Sequence, residues 1–440
     1  MILFARIILL ILYYLDGLHS VTWLGLQRYA RHKSNELEPF NYHECQYSWY
    51  NFGLRRRQMR FCYHPSNKYV MHAVVKSAQA VAAYCPQIFK DSRWNCSNIQ
   101  YLPNVSPELK RGTKEQAIVY AMASGALLFE ISRRCAMDRI ANCPCGKDSW
   151  SVFEPEDEVK AQRVMFKSPQ NKFTMHKNEQ ILPDPSDQYV WNGCADNVYA
   201  ARYFSNSFLG YQKMKNSLIK ENERLRRRRR ILGQQQHRSR IWRRDILIEY
   251  NSTMPSEEDI VRALNGHNYA VGIQIMENNR RVTCKCHGLS GSCTQKVCFR
   301  QLLRLDDRFL QEKFKQHYLE SKYVRYDKNS GGRFVVNNFH KNGEYSMKPV
   351  GEADLAYITA SSDYCDANLA LGSHGTHNRL CAKYSKETIR DFDACQNLCC
   401  NRGTYKQLIP KKVPCNCRMT QDFQVKCEEC TENEILFYCR

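Results

Sequence analysis

Cysteine placement limits what this chain can fold into more than any other feature. The chain carries 22 cysteines, an even number, behind a leader reading "MILFARIILLILYYLDGLHS". Arg6, the apolar run Ile7 to Leu15 and the small or polar exit Gly17 to Ser20 make residues 1–20 a secretory signal peptide. Its apolar core is shorter than the roughly 20 residues that a membrane-spanning helix needs. In an oxidising compartment an even cysteine count reads as a disulfide framework.

The cysteines are unevenly spread, and the texture around them changes near residue 350. Before it, helical periodicity dominates from about residue 69 to 345. "YVMHAVVKSAQAVAAYC" aligns Val70, Val74, Ala78 and Val81 on one face. Thr113 with Gln116 forms a capping box ahead of "AIVYAMASGALLF", a run suited to a buried helix, and Ser256 with Asp259 opens another helix reaching Met276. "RQLLRLDDRFLQEKFKQHYLES" is amphipathic through Leu302, Leu305, Phe309 and Phe314. Beyond residue 350, ten cysteines fall between Cys365 and Cys439, which leaves space for short stapled hairpins rather than an apolar core. The expected fold is therefore α+β and disulfide-rich. A helical N-terminal domain (21–350) carrying a clamped hairpin precedes a cysteine-rich C-terminal domain (351–440) of short β-hairpins.

A net charge of +21 calls for an acidic partner, and outside the cell that means sulfated glycans or anionic membrane surface before nucleic acid. Two stretches, about 147–190 and 214–250, read as insertions. The second holds ten arginines between Arg224 and Arg244 with no acid among them. Its default state is a solvated loop. The run Arg226, Arg227, Arg228, Arg229 and Arg230 offers a heparan sulfate site or a furin-type cleavage point. Sequons at Asn95, Asn104 and Asn251 are candidate glycan sites.

The densest chemistry lies in "CKCHGLSGSC" followed by "TQKVC". Cys284, Cys286, His287 and Cys293 form a ligand set for zinc, but the gaps differ from those of zinc knuckles and the compartment favours disulfides. His287 with Ser290 suggests a hydrolase, yet no strand-to-helix nucleophile elbow surrounds the serine and no carboxylate stands out to orient the histidine. Pairing Cys284 with Cys298 and Cys286 with Cys293 instead gives two nested bridges, each worth about 2–3 kcal/mol by loop-closure entropy. The tip then reads "HGLSGS", where Gly288 and Gly291 let the backbone turn around Leu289 and leave the Ser290 hydroxyl accessible. A secreted hydrolase and a heparin-binding matrix protein are the alternatives to a display role.

These residues resemble the signature of the Wnt family of secreted, lipid-modified signalling proteins. Further landmarks follow in order: "FKDSRWNCS", "RGTKEQAIVYA", "CPCG", "WNGCADN", "SSDYC", "GTHNRLC" and "CQNLCCNRG". The resemblance implies no catalysis, cofactor or metal. It implies a ligand for the cysteine-rich domain of Frizzled receptors, with an LRP-type co-receptor, and developmental signalling in the extracellular space and matrix. Ser290 matches the serine esterified with palmitoleate by the acyltransferase Porcupine before export on a Wntless carrier; Ser292 does not align with that position.

The resemblance also implies disulfides Cys85–Cys96, Cys135–Cys143, Cys145–Cys194, Cys365–Cys400, Cys381–Cys395, Cys399–Cys439, Cys415–Cys430 and Cys417–Cys427. Cys45 and Cys62 are left as an N-terminal pair. The chain departs from the family pattern between Cys417 and Cys427, where an aromatic residue and two adjacent cysteines give way to "RMTQDFQVK". The apolar contacts of that second receptor-binding tip then fall to Met419, Phe423 and Val425. Phe299 stands where the family commonly has tryptophan.

Overall fold

The computed structural model describes residues 21–29, 38–65, 67, 69–104, 106–140, 143–146, 189–191, 194–210, 255–294, 296–327, 333–339, 345–368, 373–382, 394–419 and 424–440. The signal-peptide segment, most of both insertions, Arg226–Arg230, Asn251 and Phe423 lie outside these residues. The chain divides into two compact units. One holds Met1–Tyr84, Tyr101–Val105 and Leu109–Ala360; the other holds Cys85–Gln100, Ser106–Glu108 and Ser361–Arg440.

The first unit opens with α1 (Tyr42–Phe52) and α2 (Arg56–Tyr63), joined by the Cys45–Cys62 bridge. Helix α3 (Met71–Ile88) follows, its residues from Cys85 on counting with the second unit; Val70 just ahead of it and Val74, Ala78 and Val81 along it are fully buried, as their spacing predicts. Helix α4 (Lys114–Ala136) starts where Thr113 Oγ1 accepts a hydrogen bond from the Gln116 amide at 3.2 Å. The reciprocal half of the expected capping box is absent. Gln116 Oε1 accepts from the Gly112 amide at 2.6 Å, and its Nε2 donates to Asn265 at 2.9 Å. A tertiary partner has taken the side chain that local spacing assigned to the cap.

Helix α5 spans Val198–Leu209, and α6 (Glu257–Asn278) begins at Ser256, whose hydroxyl caps the Asp259 amide. Contacts between α4 and α6 advance together along both chains. Gln116 meets Asn265, Tyr120 lies 4.9 Å from Tyr269 between ring centroids, Ser124 donates to the Tyr269 carbonyl, and Gly125 faces Met276. The two helices therefore run parallel. They approach closely because Gly272 has no side chain: a Cβ there would sit 2.1 Å from the Ala121 carbonyl oxygen.

Helix α7 (Arg308–Leu319) is capped by Asp307, which accepts from the Phe309 and Leu310 amides. That start point corrects the expected apolar stripe. Leu310, Phe314 and Tyr318 face inward, whereas Phe309 is 39% exposed under Lys313. Tyr318 donates from its hydroxyl to Glu115 of α4 at 2.9 Å in the interior.

After α7 the structure turns to strands, where helical periodicity had been expected as far as residue 345. Strands β4 (Lys322–Tyr323), β5 (Arg325–Asp327), β6 (Arg333–Phe339), β7 (Tyr345–Pro349) and β8 (Ala356–Tyr357) occupy this part of the unit. Val, Phe and Tyr favour a pleated surface there. Val324, Tyr326, Phe334 and Ala356 pack with Leu264 of α6 as one apolar cluster. Asn268 holds the backbone of Ala356 with both ends of its amide, at 2.9 and 3.0 Å.

The turn before β8 is gripped by a histidine. His267 Nε2 donates to the Asp354 carbonyl at 2.8 Å, and burial pushes its pKa below the ordinary 6.5 against the opposing pull of that bond, Asp354 and Glu352. Burial likewise lowers His317. At these two histidines the unfolded chain binds more protons than the native one as pH drops below about 6.5, so the stability they contribute falls with acidification. Urea unfolding at about pH 5 is expected to give a lower midpoint than at about pH 7.5, and His267→Gln should flatten that difference. A midpoint rising on acidification contradicts this.

The second unit is held by disulfides. Its bridges are Cys85–Cys96, Cys365–Cys400, Cys381–Cys395, Cys399–Cys439, Cys415–Cys430 and Cys417–Cys427. Strands β9 (Ala367–Asn368) and β10 (Ser373–His374) pair, followed by β11 (Leu380–Cys381) and one helical turn, α8 (Cys395–Leu398). A long ribbon of β12 (Thr404–Met419) and β13 (Val425–Cys439) carries β11 on the outer edge of β13. Arg379 donates to the carbonyls of Ser92 and Lys90, and Arg93 to that of Asn397, so residues 85–100 are stitched into this unit. One apolar cluster sets Leu398 among Cys381, Cys399 and Cys439, and Ile88, Phe89, Trp94 and Ile99 are buried in the segment 85–100.

Candidate functional site

The stretch "CKCHGLSGSC" forms the end of a hairpin in the first unit. Strand β2 (Arg281–Cys286) pairs antiparallel with β3 (Lys296–Gln301), and β1 (Tyr189–Trp191) adds to β3 in parallel. Cys284 stands directly opposite Cys298, and their bridge spans 4.0 Å between Cα atoms. Cys286–Cys293 closes the loop above it at 4.5 Å. Further down, Cys135–Cys143 and Cys145–Cys194 bridge the same unit, and all 22 cysteines are paired. A disulfide sulfur has no thiolate to offer a metal, so Cys284, Cys286 and Cys293 do not constitute a zinc site.

The base of the hairpin is anchored by a buried carboxylate. Asp196, from "WNGCADN", accepts from the Leu302 amide at 2.7 Å and pairs with Arg133 of α4 at 3.4 Å. Burial raises its pKa, and the Leu302 amide and Arg133 oppose that rise. On the face of the sheet, Phe299 is buried and Lys285 lies 5.7 Å above its ring. The stem is thus tied to the helical core at its foot, buried at Cys298 and Phe299 and exposed at Cys284 and Lys285.

At the tip, backbone bonds define a closed turn. The Gly288 amide donates to the Ser292 carbonyl at 2.8 Å, Gly291 to Gly288 at 3.0 Å, and Ser292 to Leu289 at 3.1 Å. Gly288 is needed for this closure, because a Cβ there would lie 2.5 Å from the Ser292 carbonyl oxygen. Ser290 takes the left-handed region, φ 57° and ψ 26°, with Gly291 beside it at φ 76°. Non-glycine residues adopt that region at a cost that surrounding structure must hold. The result is that Ser290 and Leu289 stand outward, Leu289 being 93% exposed. His287 is also exposed.

Sequence reasoning did not single out Thr294, whose hydroxyl meets that of Ser292 at 3.2 Å and packs where a Gly288 side chain would be. The Ser-x-Thr spacing, which sets two hydroxyls two residues apart at a tight turn, was the available signal.

The clamp is expected to be local in its effect. Cys286→Ala with Cys293→Ala opens a bridge of sequence separation 7 and should cost about 2–3 kcal/mol of tip stability. Hydrogen exchange should then speed up at Gly291 and Ser292 while amides of α4 keep their protection. Unchanged tip protection would contradict the role of the bridge.

Other predicted positions are dispersed. Asn104 is exposed and Asn95 half-buried, its Oδ1 accepting from the Ser97 amide. Met419 and Val425 form the outermost pair of the β12–β13 ribbon and are 69% and 66% exposed. The Cys417–Cys427 bridge, 3.9 Å between Cα atoms, lies just inside them.

A hydroxyl is held out on a doubly bridged stem, above a scaffold built from disulfides, which is the geometry of a display hairpin. The chain belongs to the Wnt family, whose model matches residues 51–440. It is 28% identical to Protein Wnt-11b-1 of Xenopus tropicalis over 427 residues, covering 96% of this chain and 94% of that one. It is likewise 28% identical to Protein Wnt-11 of Gallus gallus, covering 88% and 86%. Among solved structures, human WLS in complex with WNT8A matches with a TM-score of 0.43 and 21% identity, over 86% of this chain and 96% of that one. Members of the family are secreted signalling ligands, not enzymes, and need no cofactor.

Proposed function

We propose that this chain is a Wnt ligand acylated with palmitoleate on Ser290 and that it binds the cysteine-rich domain of Frizzled receptors. The observation that carries this reading is the Ser290 conformation: an exposed hydroxyl in left-handed backbone at the end of two nested bridges. Such a hydroxyl can enter an acyltransferase from outside the fold. Porcupine transfers the acyl group, the serine oxygen taking the carbonyl carbon from a thioester and the thiol leaving. A chain of about sixteen carbons, at roughly 0.8 kcal/mol per buried methylene, brings on the order of 10 kcal/mol to an apolar receptor groove before ordering costs.

A second contact falls to the ribbon tip at Met419, Phe423 and Val425. Exposed apolar residues above a terminal bridge support it, although the family's vicinal cysteine pair is missing there. Heparan sulfate at Arg226–Arg230, glycans at Asn95, Asn104 and Asn251, a Wntless carrier, an LRP-type co-receptor and residence in the extracellular matrix complete the reading. Intact mass with peptide mapping of the secreted protein tests it. One palmitoleoyl ester is expected, located on Ser290. A lipid-free protein, or a lipid on Ser292, overturns it.

A further inference from the structure

The outward faces of α1 and α2 carry a feature that receptor display does not use. Positions 42, 43, 46, 47 and 50 of α1 share one side of the helix. They read Tyr, His, Gln, Tyr and Tyr. The three tyrosines are 52%, 55% and 61% exposed, and Trp49 lies against Tyr50 at 4.7 Å between centroids. Tyr42 touches Tyr63 of α2 at 5.5 Å, which carries the aromatic surface across to the next helix. There Arg56 and Arg60 are exposed beside Tyr63, and neither is ion-paired among the described residues. Glu44, the acid of α1, is turned away: its two oxygens accept from the Asn41 amide and the Tyr29 hydroxyl.

We propose that this face of α1 and α2 is a membrane-interface surface that rests on anionic phospholipid headgroups. Tyrosine and tryptophan rings combine an apolar body with a polar tip and settle at headgroup depth. Arg56 and Arg60 supply charge complementarity to anionic headgroup phosphates. The balance of groups decides between membrane and sulfated glycan. Aromatic area here exceeds charge, whereas a polyanionic sugar needs dense cations, as in Arg226–Arg230. The surface is independent of acylation at Ser290. It also has a physical use, because a single acyl chain gives only marginal membrane binding and a second signal is needed for stable residence.

The test is vesicle co-sedimentation of the full secreted chain on phosphatidylcholine alone and on equimolar phosphatidylcholine and phosphatidylserine. Any acyl chain acts on both vesicles, and the run Arg226–Arg230 is unchanged in every variant, so the change on mutation reports the surface. Wild type is expected to prefer the anionic vesicles. Arg56→Gln with Arg60→Gln should weaken that binding by roughly tenfold and narrow the preference, and an unchanged preference in this variant overturns the proposal. Tyr42→Ser, Tyr47→Ser and Tyr50→Ser together should weaken binding to both vesicles without moving heparin elution. The three Tyr→Phe changes, which keep the rings, should retain it. Absence of a preference in wild type overturns the proposal. So does a serine variant that elutes earlier from heparin while its vesicle binding is unchanged, an outcome that assigns the face to a sulfated glycan.

Discussion

Ser290→Ala is expected to cost at least about a thousandfold in affinity for a Frizzled cysteine-rich domain while leaving the hairpin folded. The fold should tolerate the change because the Ser290 hydroxyl makes no hydrogen bond among the described residues and stands in solvent. Alanine keeps a Cβ in the same left-handed backbone, so no new strain enters. What disappears is the attachment point. A thousandfold is about 4 kcal/mol, well within the order of 10 kcal/mol that a buried acyl chain can bring before ordering costs. Binding to an immobilised receptor domain, with intact mass on the same sample, is the measurement. Ser292→Ala is the control and should keep both lipid and affinity. Mild alkaline cleavage of the ester on folded wild type should reproduce the loss without any mutation. Full binding by Ser290→Ala, or lipid remaining on it, refutes the assignment.

The second large effect is expected at the parallel crossing of α4 and α6. Gly272→Ala places a methyl group 2.1 Å from the Ala121 carbonyl oxygen and 2.4 Å from Ser124 Oγ. The first of these is helix backbone and cannot rotate aside. The helices must separate, and the Ser124 to Tyr269 hydrogen bond, the Gln116 to Asn265 pair and the Tyr120 to Tyr269 contact loosen together. Overpacking of a tight interface costs about 3 kcal/mol, at the upper end of the usual range. A lower urea midpoint and reduced secreted yield are expected, with hydrogen exchange rising along α4 and α6. By contrast, Gly291→Ala meets open space within 4 Å and should affect only the tip, through its positive φ. Equal midpoints for wild type and Gly272→Ala would show that the crossing has room.

Much of the local structure was legible because its causes sit within a few residues. Thr113, Ser256 and the spacing of Val70, Val74, Ala78 and Val81 announce helices, since caps and buried stripes act over one or two turns. Phe309 was misplaced because a four-residue spacing cannot tell where a helix begins; the Asp307 cap set the phase, and Leu310, Phe314 and Tyr318 took the inner face. Residues 322–349 were missed as strands because β4 and β5 are only two and three residues long, too short to show an alternating pattern, and β5, β6 and β7 are joined by backbone pairing that leaves no apolar period. At the site, the chemistry was visible in "CKCHGLSGSC", while the backbone bonds that turn Ser290 outward were not.

The sequence by itself determined the disulfide-rich character, the helical stripes, the glycines that permit a tight tip and the serine available for display. Only the tertiary structure decided that β1 lies parallel to β3 across more than a hundred residues, that α4 and α6 cross in parallel at Gly272, and that Cys85–Gln100 joins the cysteine-rich unit. The physical reason is the range of the interactions. A cap or an apolar stripe is specified by neighbours in the chain, whereas a close helix crossing or a strand pairing depends on surfaces that meet only after folding and leave no periodic trace in either segment.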